Sequence, residues 1–547
     1  MDGKTLLLLL LVFTPWATGS AVAEDSAPVD WQGFYIGLHG GGGLGLADVS
    51  DPYGRSIFGD TVRAPGFLLG GQIGHNWQAQ STVFGLEAGL GWADMGGTNT
   101  CFAWSGSFFS SNCEGDVDAA GTLAARLGWT LPFDGRTLVY GKAGLGAAHV
   151  AMEATPAGDI GLAGSGTSGW RWGWMLGAGV ERAISQRWSV TAEYNFLRFE
   201  DIGFNSPASR SQPLPSPDPR ALVAVNSFPT SASSDMHLVK LGLNYHFGDT
   251  AADDTPPALA AAPAQTHDTS FEVGARYVHG WSQFHKDLGI PGPGTASPAS
   301  RLTYDSPSLN GIEAFARLDT SFGLMVKGLV GGARGDSGKL NDEDWGILFD
   351  EFYPYSNTIS SADNEVGYWS IDVGYDVWRE AGVTITPFVG YVELRQDMSA
   401  NGCVQIATPP SVCASPIPTS TLVITEDDTW RAVRLGIAVD LELAPHLTLS
   451  GEVAYLPYVN FSGTDDHVLR SLVSPEDGRG NGVQLEAMLS YALTEAWRVG
   501  IGGRYWSMWT TSGDVSFGGE ETIPMRYAVE QAQLLVELSY KLGAAAK

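Results

Sequence analysis

The 547-residue sequence is short of several things. After the first two dozen residues it has no run of roughly eighteen unbroken apolar residues, which excludes a membrane-spanning helix. Charged side chains make up only 17% of the chain, against about a quarter in ordinary soluble domains, so a conventional solvated surface fits poorly. Basic residues are scarcer still: 31 Lys and Arg face 60 Asp and Glu, a formal net charge of −29. That balance argues against nucleic acid as a partner, whereas cationic peptides or divalent cations are drawn to such a surface. Cysteine is limited to four residues. Cys101 with Cys113 and Cys403 with Cys413 form two local pairs, one in each half, and in an exported chain two loop disulfides are expected. A metal site is the rival reading, but no histidine accompanies either pair at zinc spacing.

Export is itself legible. "MDGKTLLLLLLVFTPWATGSAVAED" has Lys4, an apolar stretch from Leu6 to Phe13, and Ala21-Val22-Ala23 before Glu24, the pattern of a secretory signal peptide over residues 1–23.

Gly and aromatic residues are abundant, and apolar and polar residues alternate with period two along most of the remainder. In "HLVKLGLNYHF" Val239, Leu241, Leu243, Tyr245 and Phe247 share one face. In "RWSVTAEYNF" Trp188, Val190, Ala192, Tyr194 and Phe196 do so, opposite Ser189, Thr191, Glu193 and Asn195. Lipid outside and a polar lumen inside explain aromatics at strand ends together with charges on the opposite faces. Eight such segments precede Phe247, joined by alternating tight turns ("PFDGR", "AISQR") and long loops. The Ala/Pro/Asp-rich stretch 248–269 reads as a periplasmic linker. Ten more segments follow from Ser270, with short turns "TS", "REAG", "APH" and "TEA". The expected fold is all-β: two tandem transmembrane antiparallel barrels, eight strands over 28–247 and ten over 270–547. Eight strands leave a lumen that side chains fill.

"WQGFYIGLHGGGGLG" and "VKLGLNYHF" resemble the small porin-like outer-membrane barrel family over about 28–247, which implies fold and little else. Chemistry is concentrated in the second half. "KLNDEDWGILFD" crowds Asp342, Glu343 and Asp344 beside Trp345, and "SGTDDHVLR" holds Asp465 and His467. By strand count both lie in extracellular loops, the second and the fourth, that face each other across the barrel mouth. Peptide hydrolysis without metal or covalent nucleophile needs an activated water, for which an imidazole is the usual base. His467 suits that role, with Asp465 orienting the ring and stabilising the imidazolium. Asp342 and Asp344 share a proton, since two adjacent negative charges disfavour full ionisation. One of them would hold the water while the other donates to the substrate. The plainer reading is that acidic outer segments are solvated or bind divalent ions, and that His467 is an ordinary loop histidine.

With Asp-x-Asp followed by Asp-x-His, residues 270–547 resemble the omptin family of outer-membrane proteases. The resemblance implies an aspartic-type endopeptidase with Asp342, Asp344, Asp465 and His467 as its catalytic set. It also implies lipopolysaccharide binding, and a requirement of activity for it, through the Tyr-x-Glu-x-Arg of "VTITPFVGYVELRQDM" (Tyr391, Glu393 and Arg395) with Arg431 from the next strand. A surface Glu/Arg pair of little energetic value is the alternative there. The chain departs from the omptin pattern at Gly463, where an acid is expected, and near Gln283 and Phe284, which supply no Glu. Cleavage after paired basic residues is therefore not expected. The last strand ends "ELSYKL" without the terminal aromatic typical of outer-membrane barrels. The rival functions are an inactive barrel acting as adhesin or envelope scaffold, and a porin. "GDSG" from Gly335 reads as a strand-to-loop turn, and the Gly40–Gly43 run has no nucleotide-binding context.

Overall fold

Strand pairing follows the alternation and then continues past it. A computed structural model describes residues 29–51, 55–103, 110–133, 135–156, 163–211, 223–247, 269–289, 298–348, 351–380, 382–407, 413, 415–517 and 521–542. The expected signal peptide over 1–23, nearly all of the expected linker over 248–269 and the residues beyond Leu542 lie outside the described residues.

The first barrel is built from β1 (Gly33–Val49), β2 (Thr61–Ala79), β3 (Thr82–Cys101), β4 (Ser111–Thr130), β5 (Thr137–Pro156), β6 (Ser165–Ala183), β7 (Trp188–Asn205) and β8 (Pro229–Phe247). Each strand pairs antiparallel with its sequence neighbour, and β1 closes on β8. A three-residue pair, Ser209–Ser211 with Val223–Val225, lies between β7 and β8.

The second barrel contains β9 (Ser270–Gly289), β10 (Pro298–Asp319), β11 (Leu324–Leu348), β12 (Glu351–Tyr375), β13 (Val383–Ala407), β14 (Ile417–Ala444), β15 (Leu447–His467), β16 (Leu472–Ala492), β17 (Trp497–Phe517) and β18 (Glu521–Leu542). It closes through β9 with β18 and β12 with β13, and Trp378–Glu380 adds a short pairing to the start of β13.

Exposed apolar side chains form the lipid-facing belt. In the second barrel it runs through Ile312, Val330, Ile371, Val373, Val389, Leu435, Ile437, Ile501, Val536 and Leu538, and it ends outward at Tyr277, Trp369 and Tyr391. Spanning a bilayer takes about 9–11 residues of tilted strand, yet these strands have between 20 and 28. Their outer halves stand clear of the membrane. This corrects the sequence expectation of long loops: beyond the lipid no apolar face is demanded, so alternation fades while the backbone ladder, which needs no particular side chain, persists.

Inside, charged side chains fill the first lumen, and the second is crossed by side chains but keeps a cavity of about 840 Å³ lined by Glu272, Arg276, Lys327, Asp440 and Glu537. The first holds a charge network in which Arg126 meets Glu181 at 2.6 Å and Lys142 meets Glu193 at 2.6 Å. In the second, Arg504 and Arg276 share Glu313, and Arg434 meets Asp372 at 2.6 Å. An aromatic layer of Phe284, Trp430, Phe461 and Tyr527 lies above, with ring centroids 4.2 Å apart for Phe461 and Tyr527 and 4.5 Å for Trp430 and Phe461.

The barrels pack side by side. Ile184 and Val190 join Val383, Val439 and Leu441 in one apolar cluster. Phe67 lies 5.7 Å from Tyr455, and Arg63 reaches Glu530 at 2.9 Å while lying over Trp281.

Candidate active site

The two acidic segments are strand, not loop: Asp342 and Asp344 lie on β11, while Asp465 and His467 end β15 before the turn Val468–Arg470. Which way they face is decided by two β-bulges. In the lower part of β11 odd residues face the lumen, as Lys327 does toward Glu452. Between Gly335 and Gly338 the strand spends one more residue than β12 opposite, and Asp336 and Ser337 are exposed in succession. One extra residue inverts every side chain beyond it. Leu340 thus joins the core and Asp342 and Asp344 turn inward. "GDSG" is this bulge rather than a turn. A Cβ at Gly335 would sit 2.3 Å from Ser308 O, so the backbones approach too closely for any side chain.

β15 does the same between Leu456 and Val459. Pro457 and Tyr458 are both exposed, Phe461 enters the core, and Asp465 and His467 face the lumen. Around the barrel β11 and β15 stand four strands apart one way and six the other, on nearly opposite walls.

The electrostatics match this placement. Burial, and then Asp344, push the Asp342 carboxyl up to about 7, against the pull of His467 and Arg470. Asp344 is also raised by burial, opposed by a hydrogen bond from Ser300 and by the charges of Arg470 and His467. Burial alone would lower the His467 imidazole, but Asp465 and Asp342 hold it above its ordinary value. His467 Nε2 stands 3.3 Å from Asp465 Oδ2.

Sequence reasoning missed the partner that grips Asp465 more closely. Lys286 of β9 is fully buried and donates to Asp465 at 2.8 Å, to Glu476 at 2.8 Å and to Glu426. Burial would strip its proton, yet these carboxylates keep the ammonium charged and Lys286 in turn holds Asp465 well below the usual carboxylate range. Burial and the charge of Glu476 push Glu426 and Asp428 well up, so protons neutralise what the lysine does not. Glu426, Asp465 and Glu476 offer oxygens within 4.8 Å of one another, a spacing that suits a metal, but the ammonium already lies among them. The parity of "FHKDL" above the inward Phe284 was the available signal for Lys286. Gly463 also makes sense here: a Cβ there would meet Asp428 Oδ1 at 2.6 Å and Glu476 Oε2 at 3.3 Å, so β14 and β16 fill the space with their own acids.

The outward set is assembled as well. Glu393 and Arg431 are register partners. Glu393 meets Arg431 at 3.0 Å and Arg395 at 2.6 Å, and Tyr391 lies against Trp369 with ring centroids 5.5 Å apart. Cys101 is joined to Cys113 and Cys403 to Cys413, with Cα separations of 5.8 and 6.0 Å.

Closed antiparallel barrels with an apolar belt outside and charged side chains inside define an outer-membrane β-barrel protein. Residues 6–247 match the family described as outer membrane protein beta-barrel domain, and residues 291–523 that described as Protochlamydia outer membrane protein. The 31 kDa outer-membrane immunogenic protein of Brucella melitensis biotype 1 is 30% identical over 235 residues, 41% of this chain and 88% of that protein. The 22 kDa outer membrane protein of Rhizobium leguminosarum bv. viciae is 28% identical over 192 residues, 33% of this chain and 72% of that protein. The chain belongs to the outer-membrane β-barrel protein family. Among solved structures, the outer membrane protease OmpT of Escherichia coli aligns with 52% of this chain and 100% of its own, at 11% identity and a TM-score of 0.44. Ail, the attachment invasion locus protein of Yersinia pestis, aligns with 40% and 99%, at 12% identity and 0.20. Likenesses this remote carry no argument about function.

Proposed function

We propose that the second barrel is an omptin-like endopeptidase whose mouth faces the cell exterior and hydrolyses extracellular, cationic polypeptides. The observation that carries this reading is the pair of bulges that turns Asp342 and Asp344 on one wall, and Asp465 and His467 on the other, into the same mouth. Neutral His467 takes a proton from water held between the walls, and Asp465 steadies the imidazolium that forms. The proton shared by Asp342 and Asp344 passes to the substrate as the peptide bond opens. The net charge of −29 favours cationic substrates. On the outer face, Arg395 and Arg431, with Tyr391 and Glu393 at the edge of the belt, would bind lipid A phosphate through their guanidinium groups, and lipopolysaccharide would support activity.

A quenched fluorescent polypeptide incubated with refolded full chain and lipopolysaccharide tests the reading. Cleavage that falls about 10²–10⁴-fold in Asp342→Asn and in His467→Gln is expected, with heat-modifiable migration retained. Unchanged cleavage in both would remove the mechanism.

One observation favours a second reading, an inactive barrel serving as adhesin or envelope scaffold: Asp465 is closer to Lys286 than to His467. No cleavage by the unaltered chain selects it. A porin fits less well, because the aromatic layer crosses the lumen.

A further inference from the structure

We infer that the first barrel is the clamp that positions the acidic strand β11, a role that rests on the protease reading for its catalytic consequence. The inverted register that turns Asp342 and Asp344 inward turns Glu343 and Trp345 outward, yet these two are 3% and 4% exposed. What covers them is the outer end of the β3–β4 hairpin, closed by the Cys101–Cys113 disulfide. Glu343 accepts from Thr100 Oγ1 at 2.9 Å and from Tyr355 OH at 2.7 Å. Trp345 Nε1 donates to Ser110 Oγ, and its ring packs with Ala103 and Tyr355.

The neighbouring strand is held in the same way. Arg301, the register partner of Glu343, is 1% exposed. Its guanidinium grips Asp287 within the second barrel at 2.6 and 2.7 Å. It also donates to Thr100 Oγ1 at 2.9 Å and Asn112 Oδ1 at 2.8 Å in the first.

Buried charge with this many directed hydrogen bonds tolerates little displacement, because losing one partner leaves a desolvated group unpaired. The outer half of β11 stands beyond the lipid and has no membrane to confine it. The hairpin supplies that confinement, with one clamped residue between the two aspartates and one just after them. Glu343, Trp345 and Arg301 are positioning residues, and the first barrel supports the site without touching substrate.

The test places the changes in the first barrel alone: Thr100→Val with Ser110→Ala, and Thr100→Ser as the conservative control, in refolded full chain. Two readouts are taken. Amide hydrogen exchange over residues 340–345 should quicken at least tenfold in the double variant and not in Thr100→Ser, while exchange over 324–334 stays the same. In the same double variant kcat for peptide hydrolysis should fall at least tenfold with KM within about twofold, and Thr100→Ser should keep it. Unchanged exchange at 340–345 overturns the clamp whether or not the chain cleaves peptide. Quickened exchange with unchanged kcat overturns its catalytic role. An unaltered chain that cleaves nothing overturns the protease reading alone, and the exchange result still decides the clamp.

Discussion

Asp465 Oδ2 lies 2.8 Å from the Lys286 ammonium, which is 0% exposed and lies among three carboxylates. Removing one partner of a buried ion pair costs about 3–5 kcal/mol, because the other charge is left unpaired. Lys286→Met should therefore lower the temperature at which heat-modifiable migration is lost. Asp465 is held below its unfolded value by Lys286, so the stability it contributes is present above about pH 4 and is lost as pH falls below that. The deficit of Lys286→Met should be full at pH 7 and shrink on acidification. A deficit independent of pH between 7 and 3 would contradict this electrostatic account.

Hydrolysis should be bell-shaped in pH. Asp342, raised to about 7 by burial and Asp344, gives up the shared proton as pH rises through neutrality. His467, held above the ordinary imidazole value by Asp465, takes up a proton as pH falls and ceases to be a base. The limbs belong to the coupled set rather than to single residues. In Asp344→Asn the charge that raises Asp342 is gone, so the alkaline limb of kcat/KM should move to lower pH. An alkaline limb that stays or moves upward would show that the Asp342 proton is not the one required.

The bulge at Gly335–Gly338 gives a register prediction. Deleting Ser337 should turn Asp342 and Asp344 outward and abolish hydrolysis, at least 10²-fold, with the barrel still heat-modifiable. Reinserting one residue after Lys339 should restore it. Activity that survives the deletion would mean that inward placement of these aspartates is not what matters.

These results mark where the sequence could be read and where it could not. Alternation revealed eight and ten strands because lipid enforces an apolar face over each crossing, and "VELR" and "TDDH" carried recognisable residue pairs. Strand ends were misplaced because nothing outside the lipid enforces a pattern. "GDSG" passed for a turn because a bulge costs one residue and leaves no periodic trace, although it decides which face Asp342 occupies. The parity of "FHKDL" could place Lys286 inward, but the partners of Lys286 and Arg301 at Glu426, Glu476, Thr100 and Asn112 could not be read, because they are set by barrel shear and by docking of the two barrels, not by spacing along the chain.

On the outer face, Arg395 and Arg431 converge on one carboxylate of Glu393, with Arg395 64% exposed. Arg395→Ala with Arg431→Ala should weaken binding of lipopolysaccharide micelles about tenfold or more and remove any stimulation of hydrolysis by them. Equal binding by the double variant and the unaltered chain would reduce the cluster to a surface ion pair.

The most direct test is a double-mutant cycle on kcat/KM for peptide hydrolysis across the two walls: Asp342→Asn, His467→Gln and both together. Groups that activate one water act as a unit, so the double variant should be no more than about threefold slower than the worse single one. Losses that multiply, or single variants as fast as the unaltered chain, would contradict a site shared between β11 and β15.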